Sequence, residues 1–510
     1  MSLYQQVAEW VRLPDPPCVK PGQVNLPVSG TSTEVYEAPP TPSFEQKWER
    51  HFASHTPPDF GHSILHKLFP TLVGDITAFD ERDPDLGPSS DDLEGKAGTT
   101  FTFLAHGSYG ATCRPVLDVL RKWQLRMEAS PVRFFYDMLY PYIVRSVRLV
   151  SGLVGARPED TVLVTNVEVG MNAVMRSLTF GPGDKIIAFD LTYTAVLYSA
   201  QHICDRTGAE LLTFPMTFPV SPESVVADLR RFLEGYDQRR GTIRLAIFQH
   251  ITSPTAILLP VRKLITSCRE YNIPVMVDGA HSIGQIPMNL TELGADFYVT
   301  NTHKWLCNAR GCALLWVHPQ HHSRVYPLTT SWGHLNKESL QARFIWQGTA
   351  DYSPFLSLYI AVKFYKWLGY DKVIQRNRRL ASWCASLLAE AWGTEPLVAV
   401  AQNDEDSLDT KESKWETGMI GSMCCVKIPP ANTDMHGIID LHDELLDKFQ
   451  IEIPVFSFQG HRYVRVSLHM YNDEKDCLAL GRAVLIALGY PTTYNGYILL
   501  DKKEHALSKE

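Results

Sequence analysis

Two residues sit where chemistry is well served. IPVMVDGAHSIG runs an apolar, strand-like stretch into Asp278, and twenty-six residues further on ADFYVTNTHKWL runs another towards Lys304. Alone, Asp278 reads as a helix N-cap and Lys304 as a solvated surface amine. Taken together, at the ends of two adjacent parallel strands, they deliver an acid and an amine to one sheet edge, where ligands bind in such sheets. That pair is what pyridoxal phosphate chemistry needs: a lysine that bonds the aldehyde as a Schiff base, and an aspartate that pairs with the pyridinium nitrogen. The ring stores electrons from a bond breaking at the substrate's α-carbon well only while its nitrogen stays protonated, which a buried carboxylate enforces. The lysine must lose its proton near neutral pH, which desolvation and a neighbouring cation favour.

The elements that must position this pair are legible as seven strand-length runs: TVLVT, KIIAFD, AELLTF, IRLAIFQ, IPVMVD, DFYVT and CALLWV. The segments between the first six are long enough to hold helices, which predicts an α/β fold with a mainly parallel sheet covered on both faces. Residues 101–350 form this large domain. Residues 1–100, with DPPCVKPG, EAPPTPS and DERDPDLGPSSDDLEG, read as a Pro-rich N-terminal extension with short helices, WERHFASH among them. Beyond WQGTADYSP, helical stretches at 354–368 and 371–393 precede the acidic surface insertion QNDEDSLDTKESKWET, then GSMCCVKIP, a helix, IEIPVF and RYVRVSL. These predict a smaller C-terminal α+β domain over 351–495 and a tail over 496–510.

Composition excludes several classes. The chain's 48 basic and 56 acidic residues give a net charge of −8 with no long basic stretch, which argues against a nucleic-acid partner. No apolar run reaches the roughly 18 residues of a membrane span, and the first residues lack a signal or transit pattern, so a soluble cytoplasmic protein is expected. The ten cysteines include several in apolar runs such as SMCCVKIP and GCALLWV, as small buried hydrophobes do. No ligand spacing surrounds Cys204, Cys268 or Cys307, so no metal site is expected. His321 and His322 read as solvated loop.

Ordered motifs carry a wider resemblance. HGSYG at 106–110, PVRFFYD at 131–137, NVEVGMNAV at 166–174, DLTYTAV around Tyr193, HITSPTA at 250–256, VDGAHSIGQ at 277–285, NTHKWL at 301–306, WQGTADYSP at 346–354 and VRVSLHMYN at 464–472 span most of residues 100–490. In these the chain resembles the fold-type I, class V aminotransferase superfamily, and within it the isopenicillin N epimerase-like and cysteine desulfhydrase-like branch. The resemblance implies the pyridoxal-phosphate-dependent transferase fold, with a mainly parallel seven-stranded sheet flanked by helices and pyridoxal 5′-phosphate as cofactor. It makes Lys304 the Schiff-base lysine, Asp278 the pyridinium partner and His281 a neighbour of the ring hydroxyl. Tyr193 takes the place of the stacking ring, and Ser253 joins the cofactor contacts. Asn301, His303 and the helix start at Val167 and Glu168 correspond to phosphate contacts. Thr349 corresponds to the contact lent across a dimer interface, which implies a homodimer.

Arg465 resembles the arginine that grips the substrate α-carboxylate, where a planar guanidinium makes two parallel bonds. His106 and Arg133 are placed toward the substrate's distal end, or are structural. One departure stands out: the branch commonly has Ala-Thr where this chain has Val167-Glu168, and a carboxylate there repels a phosphate unless it turns away or is neutralised.

For the reaction, the loop IPVFSFQGHRYVR has no cysteine before the substrate arginine, which argues against persulfide transfer of the desulfurase kind. What remains begins with removal of the α-proton of a small amino-acid substrate, with Lys304 as base. A C–S β-lyase is the expected reading; epimerisation and transamination are the alternatives in the same class. A non-catalytic scaffold on the same fold is the alternative from another class, motivated by Glu168 and the long extension. Such a scaffold has no need of Lys304, Asp278 and Arg465 together.

Overall fold

A computed structural model describes residues 3–12, 37–69, 72, 101–337, 339–400, 418–431 and 438–508. The acidic stretches at 80–95 and 402–417 lie outside the described residues. The seven expected runs are strands β2 Thr161–Val164, β3 Asp184–Phe189, β4 Glu210–Phe214, β5 Thr242–Gln249, β6 Val275–Asp278, β7 Phe297–Asn301 and β8 Ala313–Val317, preceded by the short β1 Thr102–Phe103. They form one sheet in the order β2-β8-β7-β6-β5-β3-β4. Strands β7, β6, β5, β3 and β4 pair in parallel, whereas β8 runs antiparallel to both β7 and β2. The sheet is thus mainly parallel, and β8 turns back because the 302–312 connection is too short for a crossover helix.

The reason for the continuous apolar runs is burial on both faces. Every residue of β6, β7 and β8 is buried, as helix-covered central strands require. The smaller C-terminal sheet is antiparallel, built from β9 Met423–Lys427, β11 Val455–Phe458 and β12 His461–Ser467 in the order β11-β12-β9. The short β10 Ile451–Glu452 pairs with β1. The strand that leads into HGSYG is therefore hydrogen-bonded to the C-terminal half.

Helices Ser353–Leu368 and Tyr370–Trp392 stand where their 3.6-residue pattern puts them. The first packs on helices Arg114–Ala129 and Leu139–Leu153 of the large sheet's own layer. Residues expected as a tail supply helix Asn495–Leu507, which packs on Tyr370–Trp392 and buries Tyr497 and Leu500. His321, expected in solvent, is buried with Nε2 2.6 Å from Asp296 Oδ1; a short 3-10 turn, Pro319–Arg324, folds it back under the sheet edge.

The described helices Leu3–Arg12 and Ser43–Ser54 of the N-terminal segment pack on the large domain and its covering helices. WERHFASH falls in helix Ser43–Ser54, whose Glu45 is fully buried 2.8 Å from the guanidinium of Arg145. Trp123 Nε1 donates to the same carboxylate at 3.0 Å, and the ring of Tyr359 lies 3.8 Å from the Arg145 guanidinium carbon. Burial raises the Glu45 pKa and the Arg145 charge opposes that rise. Removing one partner leaves the other charge stranded. Glu45→Ala is expected to destabilise the fold by about 3–5 kcal/mol, read as a large drop in the thermal unfolding midpoint. The same substitution at the exposed Glu37 leaves that midpoint in place.

Candidate active site

The site is built at the carboxyl edge of the parallel strands. Strands β6 and β7 pair with Asp278 opposite Val299, so the acid closes its strand just short of Asn301, where β7 passes into the four-residue helix Thr302–Trp305 that carries Lys304. Both face a cleft of about 930 Å³, open at its mouth, lined also by Ser108, Tyr109, Glu168, Tyr193, His281 and Arg465.

Burial dominates the electrostatics. It lifts the Asp278 carboxyl to about 6, with the Ala280 amide and the Lys304 charge pulling it back and Glu168 adding to the rise. It depresses the Lys304 amine to about 8, opposed by Asp278, reinforced by Arg465 and opposed again by Glu168. Each group is therefore within reach of a protonation change near neutral pH.

His281 is held neutral first by burial and then by the Lys304 and Arg465 charges, its pKa well below the ordinary range. Its Nδ1 accepts from Trp305 Nε1 at 3.3 Å, so Nε2 carries the ring hydrogen. That nitrogen meets Lys304 Nζ at 3.3 Å, an arrangement that suits an unprotonated amine.

Arg465 enters from β12, opposite Cys425 on β9. It is buried, with 5 % of its surface exposed. Its guanidinium donates to Ser108 Oγ at 2.8 Å and to Ser253 Oγ at 3.2 Å, while Nε has no partner. Two neutral hydroxyls do not neutralise a buried cation. The arrangement awaits an anion, and a carboxylate matches the guanidinium fork. Ser253, expected among the cofactor contacts, lines the cleft, and its hydroxyl accepts from this arginine.

The helix Val167–Ser177 begins at the opposite wall. Asn166 caps it by accepting from the Val169 amide at 2.8 Å, and Asn301 Oδ1 accepts from the Val167 amide at 3.1 Å, tying the helix start to the lysine turn. The buried His303 Nδ1 has no partner, and burial lowers the His303 pKa to about 4. Tyr193 caps helix Thr194–Thr207 with its amide on Gln249 Oε1 at 3.1 Å and its ring 42 % exposed in the cleft.

The family model of aminotransferase class-V matches residues 110–412. The chain belongs to this family. Among class-V relatives it is similar to the probable chloroplastic L-cysteine desulfhydrase of Arabidopsis thaliana, 27 % identical over 77 % of this chain and 84 % of that protein. It is also similar to the isopenicillin N epimerase of Amycolatopsis lactamdurans, 29 % identical over 75 % of this chain and 94 % of that protein. A solved structure of C-DES with glycine covalently linked to its pyridoxal phosphate cofactor has the same fold, with a TM-score of 0.63 and 17 % identity, covering 79 % of this chain and all of that one.

Pyridoxal 5′-phosphate is the class-V cofactor that this cleft fits. Lys304, its amine depressed by burial, faces an acid whose proton affinity is raised; an orphaned His303 nitrogen and a helix N-terminus stand where an anion is accommodated.

Three expected residues do not line the cleft. Arg133 is exposed in the short helix Pro131–Arg133, and Thr349 is exposed beyond Gly348. His106, expected to face substrate, is fully buried behind the lysine, because both ring nitrogens are claimed by protein groups. Its Nε2 donates to the Lys304 carbonyl at 2.7 Å, which leaves Nδ1 to accept from Tyr471 Oη at 2.7 Å. A second pair stands alongside: His469 Nδ1 accepts from the Met470 amide at 2.8 Å, Nε2 donates to Tyr365 Oη at 3.0 Å, and Tyr365 donates to the Trp305 carbonyl. These donors satisfy carbonyls that a four-residue helix leaves without partners. Gly110 lets the HGSYG loop press on the same turn: at φ 72° a Cβ there would lie 2.0 Å from the His303 carbonyl oxygen.

Ser108, Tyr109, Asn166 and Gln249 also line the cleft, and sequence reasoning did not single them out. Gln249 had a signal, a polar side chain closing the apolar run IRLAIFQ. Ser108 and Tyr109 stand in HGSYG, where only the histidine has chemistry evident from its type alone. In cofactor-stripped protein, acetylation of Lys304 followed by peptide mass spectrometry is expected to rise with a midpoint near pH 8. Asp278→Asn removes the charge that favours the ammonium form, so it moves this midpoint downward.

Proposed function

We propose that this chain is a pyridoxal-phosphate-dependent C–S β-lyase acting on cysteine or an S-substituted cysteine. The observation that carries the reading is the meeting of Lys304, Asp278 and the uncompensated Arg465 on one cleft. When bound, pyridoxal phosphate supplies an acceptor for the electrons of a bond broken at the substrate α-carbon. Arg465 grips the α-carboxylate and orients the amino acid. Lys304, poised near neutrality, takes the α-proton at Nζ. Asp278 holds its partner nitrogen protonated through a buried carboxylate. Departure of sulfur from the β-carbon then releases sulfide or a thiol, and hydrolysis of the remaining three-carbon enamine by one water gives pyruvate and ammonia. The desulfhydrase relatives support this choice, as does the absence of a cysteine from the Val455–Ser467 hairpin. Cys425, across from Arg465, is buried and its pKa is pushed well up by that burial, which suits an inert thiol.

The working unit we propose is a homodimer. Trp332 is 66 % exposed while stacking on Trp346, which also meets Phe135; Val132 and Tyr136 of the neighbouring segment are 73 % and 62 % exposed. An apolar patch of this kind is normally covered, and a second copy would bring Thr349 to a site. Among the described residues no helix is long and apolar enough to cross a membrane. The free cysteines described are all buried and unpaired, which fits a reducing compartment such as the cytoplasm.

Purified protein with added cofactor is expected to absorb in the visible through a bond that Lys304→Ala abolishes, and to release pyruvate and sulfide from L-cysteine. Arg465→Ala removes a charge pair worth about 2–5 kcal/mol, so kcat/KM falls by at least about 30-fold. Exchange of the α-proton in deuterated water without pyruvate from any sulfur substrate would replace the lyase by an epimerase. Light scattering is expected to give twice the chain mass.

A further inference from the structure

Glu168 is the one residue of the cleft whose chemistry runs against the cofactor reading. It is the second residue of helix Val167–Ser177 and is exposed to the cleft, with no ion-pair partner among the described residues. An acid in a first helical turn ordinarily has a plain purpose, since it stabilises the helix through the positive end of the dipole. Here the same turn stands where the phosphate belongs, beside Asn301 and the orphaned His303 nitrogen. The Val167 and Val169 amides are already taken by Asn301 and Asn166, so a phosphate at this turn meets the Glu168 carboxylate with those two donors spent.

The positive charges that line the cleft lie elsewhere. Lys304 is committed to the aldehyde, and Arg465 is fixed on Ser108 and Ser253 below the C-terminal sheet. His281 and His303 are neutral through burial. The phosphate end thus has a helix N-terminus whose Val167 and Val169 amides are already bonded, neutral polar groups and a carboxylate, and no permanent cation among the described lining residues. The Glu168 charge reaches across the cleft, since it is felt at Tyr193, Asp278 and Lys304.

We propose that Glu168 limits how tightly this chain holds pyridoxal phosphate, by setting a carboxylate against the phosphate at one helix N-terminus. The inference rests on the cofactor reading above. Its consequence is an exchangeable cofactor: the loaded fraction follows the free cofactor concentration, where a hydroxyl at the same position would retain the cofactor by accepting no repulsion and donating a bond.

The test is equilibrium titration of cofactor-stripped protein, followed by tryptophan fluorescence, with pyridoxal 5′-phosphate and in parallel with pyridoxal, which lacks the phosphate. Glu168→Gln and Glu168→Thr are expected to lower the Kd for pyridoxal 5′-phosphate by about tenfold or more, the scale of a like charge removed from a partly screened site. The Kd for pyridoxal stays the same, because the repulsion acts only on the phosphate. An unchanged or higher Kd for pyridoxal 5′-phosphate in both variants overturns the inference and leaves the cofactor reading intact. Equal tightening of both ligands also overturns it, since the effect would then act at the amine. Binding of neither ligand by wild type or variants overturns the cofactor reading and this inference together.

Discussion

Parallel pairing of β6 with β7 is the constraint from which the rest of the site follows. It brings Asp278 and Lys304 off one sheet edge into one cleft, where each loses much of its hydration. Desolvation pushes both groups toward their neutral forms, and their mutual attraction pushes them back. The balance leaves the acid at about 6 and the amine at about 8, so neither is frozen in one state at neutral pH. A slip of one residue between the strands would turn Asp278 to the other face. Complete burial of both strands is what forbids that slip.

The turn after β7 is short, and its carbonyls need donors from elsewhere. Two histidine–tyrosine pairs supply them, His106 with Tyr471 at Lys304 and His469 with Tyr365 at Trp305. The chain that provides His106 is itself held by the C-terminal half: Leu104 N donates to Glu452 O at 2.9 Å and Ser467 N to Leu104 O at 2.8 Å. Ser467 is two residues beyond Arg465. One backbone segment therefore fixes Lys304 and Arg465 relative to each other, although their positions in the sequence are far apart.

The sheet was legible because central parallel strands must be apolar on both faces, and runs such as TVLV, KIIAF and VMV have no other easy home. Asp278, Lys304 and His281 were legible because they close or follow such runs. Contacts made across the fold were not. His106 offers the same ring to solvent or to a carbonyl, and only the packing of Gly110 on the lysine turn puts it behind the site. That the Ser253 hydroxyl, on the cleft wall, also accepts from Arg465 is likewise a contact between distant segments. The antiparallel β8 and the buried Glu45–Arg145 pair depend on connection length and on a partner 100 residues away. Neither leaves a local periodic trace.

The central claim is that this fold delivers Lys304, and no other amine, to the cofactor aldehyde. The most direct measurement is borohydride reduction of the cofactor-loaded protein, followed by proteolysis and mass spectrometry of the lysine-bearing peptides. The account predicts a stable phosphopyridoxyl group on Lys304 in the peptide containing NTHKWL. Labelling of a different lysine, or none at saturating cofactor, would contradict it.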